Sequence, residues 1–179
     1  DVITFAGNGE PTMHTDFAGI VDDTISLRNE FFPDAKISVL SNSTLIHKSS
    51  VFDALNKADN NILKLDSVFD HTIRLLNQPG SATFSGKWLI EHLKRFNGNL
   101  IIQTLFLQGE IDGQQIDNTT EEELSAWLDA VKEIRPKQVM IYTLARDTPV
   151  QALKKASHKQ LSQIAERVKA LGIEISVSE

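Results

Sequence analysis

The chain has 179 residues of ordinary globular composition, 41% hydrophobic and 23% charged, and its apolar runs are shorter than the roughly 18–20 residues of a membrane span. These features predict one cytoplasmic domain over residues 1–179, with a substantial core and no membrane partner. The net charge of −6 argues against a basic duplex-binding face, and the absence of cysteine excludes disulfides and thiolate-bound metals supplied by this chain alone.

Short β-rich runs alternate along the chain with segments of helical period. The predicted strands cover residues 2–6, 36–41, 61–66, 100–107, 138–143 and 174–177. The predicted helices cover residues 16–30, 49–57, 85–96, 120–136 and 157–172. Strand and helix therefore repeat about every 35 residues, the length of a βαβ unit, which predicts a parallel sheet, either a barrel or an open doubly wound fold.

Capping residues support two of the predicted helix starts. Thr120 precedes Glu123, and Ser157 precedes Gln160, each with the spacing of a capping box. The polar stretch 108–119 contains two glycines, and we expect one long loop there, following the strand 100–107.

The carboxyl ends of the predicted strands are small or polar, and these ends form the binding site in α/β barrels and open sheets alike. The most distinctive is the turn Gly7-Asn8-Gly9-Glu10. Its glycines permit close approach of a ligand, and Pro11 favours extended geometry at Glu10. No Gly-Lys-Ser/Thr follows, so the turn is not a P-loop, and its carboxylate suits a cationic group such as an amine.

The segment VITFAGNGEPTMH resembles the second strand and following turn of radical S-adenosylmethionine (radical SAM) enzymes. In that family a Gly-x-Gly-Glu-Pro type of turn receives the amine of S-adenosylmethionine. The segments SVLSNST, NNILKLDS and QVMIYTLAR are similar to the third, fourth and sixth strands of the family. The resemblance implies an α/β fold, a partial (β/α) TIM-like barrel of the radical SAM type that lacks its first βα unit. Residues 1–179 are then a single truncated core domain.

The resemblance also implies that strand-end residues bind S-adenosylmethionine. The residues it indicates are Gly7, Asn8, Gly9, Glu10, Ser41, Asn42, Asp66, Ser67, Gln103, Tyr142 and Thr143. Several have a structural alternative. Glu10 would brace its turn, Ser41 and Asn42 would form an Asx-type turn, and Asp66 would cap a helix or pair with Lys64. Tyr142 would pack in the core.

The family holds a [4Fe-4S] cluster on a Cys-x-x-x-Cys-x-x-Cys motif upstream of this turn, and the present chain has no cysteine. We therefore expect the intact protein to carry the cluster, to cleave S-adenosylmethionine with an external electron donor, and to abstract a substrate hydrogen. The fragment alone is expected to be inactive. Its substrate stays open among proteins, RNA and small metabolites. An exposed edge of the first strand is expected to favour self-association.

Two alternatives stand beside this interpretation. The chain would be part of an ordinary βα-barrel lyase or isomerase, with Lys64 and Asp66 as acid–base groups, or a non-catalytic binding module. His14, near the Glu10 turn, and Arg146, after a strand end, are further candidates for ligand contact.

Overall fold

The computed structural model describes residues 1–6, 9–145 and 150–178. Its strands are β1 (Val2–Phe5), β2 (Lys36–Ser41), β3 (Asn60–Lys64), β4 (Ile101–Leu105), β5 (Leu107–Ile111), β6 (Gln114–Asp117), β7 (Gln138–Tyr142), β8 (Lys154–Lys155) and β9 (Glu174–Ser178). Six of them form one parallel sheet in the order β1-β2-β3-β4-β7-β9. This confirms the predicted α/β architecture.

Within the residues that the structure describes, six α-helices connect the strands. They are α1 (Phe17–Phe31), α2 (Ser49–Lys57), α3 (Asp70–Asn77), α4 (Gly86–Lys94), α5 (Glu121–Ile134) and α6 (His158–Lys169). None of the helices described here combines the length and the apolar character that crossing a bilayer requires.

All six helices pack on one face of the main sheet. Alternate strand residues point into this helical layer, among them Val39 of β2, Leu63 of β3 and Ile102 of β4, which are fully buried in the main core. Trp127 of α5 lies in the same core and donates its indole N–H to the Leu65 carbonyl at 3.1 Å. The opposite face, which we call the open face, carries the intervening residues.

The open face becomes more polar toward the carboxyl ends of the strands. Strand register places Lys64, Gln103, Met140 and Ser176 side by side on β3, β4, β7 and β9. The preceding row on this face is apolar at Leu40, Ile62 and Ile101 but polar on β7 and β9, so the increase in polarity lies on β3 and β4. A polar rim on a sheet face without covering helices is the location expected for a ligand site.

The predicted loop at 108–119 is wrong. It folds as the β5–β6 hairpin, and β8 pairs with β5 to complete a three-stranded antiparallel sheet. The predicted strand 100–107 accordingly divides at Phe106 into β4 and β5. Gly109 permits the close packing of β8, since a Cβ atom there would lie 2.2 Å from the Ala152 carbonyl oxygen.

Helix α3 was absent from the sequence prediction. Its eight residues contain few apolar side chains, and only Ile73 and Thr72 are buried. The helix ends at Gln78, which has positive φ and precedes Pro79. The Pro79–Gly80 pair was the available signal for its end.

The two capping boxes have different outcomes. At Ser157 the reciprocal bonds with Gln160 are both present, as predicted. At Thr120 the hydroxyl accepts from the Glu123 N–H, but the Glu123 side chain turns away into the protein. That diversion creates a buried polar network that is described below.

The edges of the main sheet are β1 and β9, and within the described residues the sheet does not close into a barrel. Val2 on β1 is 56% exposed. Leu27 and Phe31 form an exposed apolar pair one turn apart on α1. Val2 is therefore an exposed apolar side chain on an edge strand, and α1 carries a further exposed apolar pair.

Candidate functional site at the carboxyl ends of the strands

Glu10 connects the turn after β1 to the turn after β2. Its Oε1 accepts from the Thr12 N–H at 3.2 Å and the Thr12 hydroxyl at 2.6 Å, and its Oε2 accepts from the Asn42 N–H at 2.6 Å. The backbone at Glu10 is extended, as Pro11 requires. The carboxylate thus braces its own turn and also points toward the neighbouring strand tip.

The described residues leave Glu10 with further capacity to accept. A carboxylate offers about four lone-pair positions, and the three bonds to Thr12 and Asn42 use three of them. The remaining position is on Oε2. A charged N–H donor, such as a ligand amine, is the partner that a half-buried carboxylate binds most strongly.

A cavity of about 550 Å³ lies beside this turn and is lined in part by Gly9, Glu10, Met13 and His14. A Cβ atom at Gly9 would meet no protein atom within 4 Å. Packing against the described residues therefore does not require glycine at this position. His14 Nδ1 accepts from the Asp16 N–H at 3.1 Å, so the predicted candidate His14 lines the cavity while it holds the start of α1.

Ser41 and Asn42 both form local turns. The Ser41 hydroxyl, buried on the helical side of β2, accepts from the Ser43 N–H at 3.1 Å. The Asn42 side chain accepts from the N–H and the hydroxyl of Thr44, at 3.0 and 2.7 Å, as an Asx turn does. The backbone of Asn42, through its bond to Glu10, contributes to the site more directly than its side chain.

Asp66 is a buried junction between three elements. Its Oδ1 accepts from the Leu105 N–H of β4 at 2.8 Å, and its Oδ2 accepts from the Asn77 amide of α3 at 2.6 Å. Lys64 Nζ lies 2.9 Å from the same Oδ2. The Asp66 side chain is 0% exposed and the Lys64 side chain 26%, so Lys64 is the partner of this ion pair that reaches the open face.

The Lys64 ammonium is held in its charged form. Burial disfavours the charge, but attraction to Asp66 and hydrogen bonds to Asp66 and Tyr142 outweigh it, and the pKa of Lys64 is raised. Burial likewise raises the pKa of the Tyr142 phenol, with Lys64 acting in the opposite direction. Tyr142 lies on the open face next to β4, close to Gln103 of the preceding row.

The other two predicted residues with buried hydroxyls are bonded inside the protein. Ser67 donates to Glu123 Oε2 at 2.7 Å. Thr143 donates to the Phe106 carbonyl at 2.8 Å and accepts from the Ala156 N–H at 2.7 Å. Ligand contact by these side chains stays a prediction. Gly7, Asn8 and Arg146 lie outside the described residues.

Asn118 was not anticipated, although it fastens the strand tips. Its amide donates to the Asp66 and Leu105 carbonyls at 2.9 and 2.7 Å, and its oxygen accepts from the Leu107 N–H at 2.9 Å. Only 2% of the residue is exposed. The prediction of a loop at 108–119 concealed this role. The bond from Asn77 to Asp66 was missed for a similar reason, because α3 was not predicted.

No family model matches the chain. Over 181 residues it is 28% identical to GTPase Obg of Brachyspira hyodysenteriae, covering 99% of this chain and 25% of that protein. Over 162 residues it is 28% identical to the UPF0026 protein slr1464 of Synechocystis, covering 84% of this chain and 53% of that protein. For the UPF0026 protein MJ1312 of Methanocaldococcus jannaschii, the identity is 28% over 149 residues, with 82% and 42% covered. The chain therefore spans about a quarter to a half of these relatives.

Solved structures match the whole chain. A domain of pyruvate-formate lyase-activating enzyme from Bacteroides vulgatus has a TM-score of 0.70 at 13% identity, covering 99% of this chain and 98% of that one. SuiB of Streptococcus suis, bound to S-adenosylmethionine, has a TM-score of 0.71 at 17% identity, with 99% and 39% covered. A radical SAM methyltransferase from Sphaerobacter thermophilus has a TM-score of 0.70 at 16% identity, with 98% and 50% covered. The chain has the radical SAM fold.

The residues of this radical SAM fold differ in how they suit the two expected cofactors. The open lone pair of Glu10 and the empty space at Gly9 suit the amino group of S-adenosylmethionine. An iron–sulfur cluster does not fit, because the sequence has no cysteine. In the described part of the chain no three His, Asp or Glu side chains are grouped to hold a metal ion either.

Proposed function

We propose that this chain supplies the S-adenosylmethionine-binding part of a radical SAM enzyme. The observation that carries the proposal is the Glu10 carboxylate, which bonds to the Asn42 N–H at the strand tips and keeps an acceptor position for an amine. Bound S-adenosylmethionine would supply the hydrogen-abstracting chemistry of the intact enzyme. Because the chain's own residues do not suit an iron–sulfur cluster, we further propose that the chain alone is inactive.

The chain's residues have distinct tasks in this proposal. Glu10 binds the amine, and Gly9 leaves room for it. Lys64, fixed as a cation on the open face two strands away, provides the complementary positive charge for the carboxylate of the same amino acid. Gln103 and Tyr142, beyond Lys64 on the open face, contact the rest of the ligand.

The acid–base alternative fits the geometry less well. A lysine that acts as a general base has a lowered pKa, whereas the pKa of Lys64 is raised. Asp66 is enclosed and accepts from Leu105, Asn77 and Lys64, so no face of its carboxylate reaches a substrate. The pair is suited to binding an anion through Lys64 and poorly suited to proton abstraction.

Calorimetry with two ligands tests the proposal. S-adenosylmethionine carries the amine, whereas methylthioadenosine lacks the amino-acid part. We expect Glu10→Gln to weaken S-adenosylmethionine binding about tenfold or more, the size expected for a charge-assisted hydrogen bond, and to leave methylthioadenosine binding unchanged. Glu30→Gln, on the exposed side of α1, is the matched control. Equal weakening of both ligands, or no binding of S-adenosylmethionine by the wild-type chain, contradicts the proposal.

A further inference from the structure

A second polar cavity, of about 440 Å³, lies between the β5–β6 hairpin and the starts of α3 and α5. It is lined by residues that include His71, Gln108, Gln115, Glu122 and Lys154. None of these belongs to the site around Glu10. The cavity is separate from the open face, because its walls are the three strands of the antiparallel sheet and the starts of α3 and α5.

A buried carboxylate underlies this cavity. Glu123 is only 7% exposed, and within the described residues it has no cationic partner. Its Oε1 accepts from the Thr72 hydroxyl at 2.5 Å and its Oε2 from the Ser67 hydroxyl at 2.7 Å. Burying a charge is costly, and the N-terminus of α5 offsets only part of that cost. The residue has also given up the local capping bond that its spacing from Thr120 predicts, and such departures concentrate at functional sites.

The network continues to the wall of the cavity through Thr72. The Thr72 hydroxyl has one proton, which it donates to the Glu123 carboxylate, so it can only accept from His71 Nε2, 3.1 Å away. In the neutral imidazole this places the proton on Nε2 and leaves Nδ1 with a lone pair. A buried acid thus orients an exposed imidazole through one hydroxyl.

We propose that this cavity binds a ligand with several hydroxyl groups, one of which donates to His71. The lining offers both donors and acceptors, since Gln108 and Gln115 do both, Lys154 donates and Glu122 accepts. Hydroxyls satisfy both kinds of group. A phosphate would be repelled by Asp117, Glu122 and Glu123, a cation would leave the Lys154 ammonium and the amide N–H groups of Gln108 and Gln115 without an acceptor, and an apolar ligand would leave all of these groups unpaired.

NMR titration with D-ribose tests the proposal, with inorganic phosphate and methylammonium as comparison probes. We expect D-ribose to shift the ring resonances of His71 and the side-chain amides of Gln108 and Gln115. His71→Gln should abolish the shifts. Thr72→Val, which keeps the side-chain shape, should weaken binding about fivefold, and Thr72→Ser should restore it.

Two results would overturn the proposal. One is the absence of localised shifts with D-ribose, and the other is tighter binding of phosphate or methylammonium at His71. His71 is exposed, so we expect His71→Gln to fold. The test therefore remains valid even when Thr72→Val, at a buried position, fails to fold. Glu30→Gln is again the control. Binding of S-adenosylmethionine has no bearing on either outcome, because that ligand is proposed for the other cavity.

Discussion

The two ends of the main sheet each carry a lysine or arginine paired with an aspartate, and the two pairs differ in what they leave exposed. At the amino end Arg28 Nη1 lies 3.0 Å from Asp59 Oδ2, which also accepts from the Ile37 N–H at 2.8 Å. The arginine is the less exposed partner, at 14% against 37%. At the carboxyl end the order is reversed, with Asp66 at 0% and Lys64 at 26%.

This difference in exposure distinguishes the structural pair Arg28–Asp59 from the pair Lys64–Asp66, which is better suited to binding. Arg28 also donates to the Ala35 carbonyl at 2.7 Å, so its guanidinium is used within the fold. Lys64 instead keeps part of its side chain on the open face, while Asp66 and Tyr142 raise its pKa and maintain its charge. In the proposed function, these similar ion pairs therefore have different roles according to which partner reaches solvent.

The largest expected effect on stability comes from replacing Asp66, the buried partner of the ion pair at the carboxyl end. Asp66→Asn leaves Lys64 without its counter-charge and presents an amide to the Leu105 N–H and Asn77. We expect a loss of about 3 kcal/mol in the free energy of unfolding. Urea denaturation measures it, with Asp34→Asn on the surface as the control. A loss no larger than that of Asp34→Asn would show that the junction is not structural.

The amino-end pair should matter less. Asp59 is more than one-third exposed, so solvent screens its interaction with Arg28, and we expect Asp59→Asn to cost about 1 kcal/mol. Burial opposes the charge of Asp59, but the Ile37 N–H and Arg28 lower its pKa below the usual 3.8.

The contribution of Asp59 to stability depends on pH because its pKa is lowered in the folded state. A lowered pKa in the folded state gives stability that is present above about pH 4 and is lost as the pH falls through the folded value. The wild type and Asp59→Asn should therefore converge in unfolding free energy below the usual pKa of 3.8. A constant difference between them over the acidic range would contradict this assignment.

A third prediction concerns the side edge of the sheet. Val2 is an exposed apolar side chain on the edge strand β1, and Leu27 and Phe31 form another exposed apolar pair on α1, so we expect reversible self-association at high protein concentration. Val2→Lys should shift the equilibrium toward monomer, since lysine discourages strand pairing. Light scattering over a concentration series measures this shift, and a wild type that is monomeric throughout would refute it.

The smallest effect on stability is expected at Gly9. Gly9→Ala meets no neighbour and should change the unfolding free energy by less than about 0.5 kcal/mol. If a ligand occupies the space, the added methyl group should nevertheless weaken S-adenosylmethionine binding about fivefold or more. Calorimetry on the two proteins compares them directly. Unchanged affinity would mean that the ligand lies elsewhere.

The sequence predicted the main sheet because strands with apolar residues on the helical side carry a strong signal, as at Val39 and Ile102. It missed α3 and the β5–β6 hairpin because both are short, polar and stabilised by distant partners. Asn118, for example, bonds to the tips of β3 and β4 from the far end of that hairpin.

The candidate site likewise contains residues that the local sequence predicted and residues whose roles depend on distant partners. Glu10 was recognisable from its turn, because glycine permits backbone conformations that other residues avoid and proline restricts the residue before it, and both effects are local. The burial of Asp66 and the diversion of Glu123 were not recognisable, since a carboxylate's partners depend on which segments the fold brings together. Local spacing at Thr120 favoured a capping box, and tertiary contacts with Thr72 and Ser67 prevailed.

The central claim is that Glu10 receives the amine of S-adenosylmethionine. A crystal structure of this chain with S-adenosylmethionine tests it most directly. The account predicts the amine nitrogen within about 3.2 Å of Glu10 Oε2, with the bond from the Asn42 N–H retained. A bound ligand whose amine makes no contact with Glu10 would contradict the account.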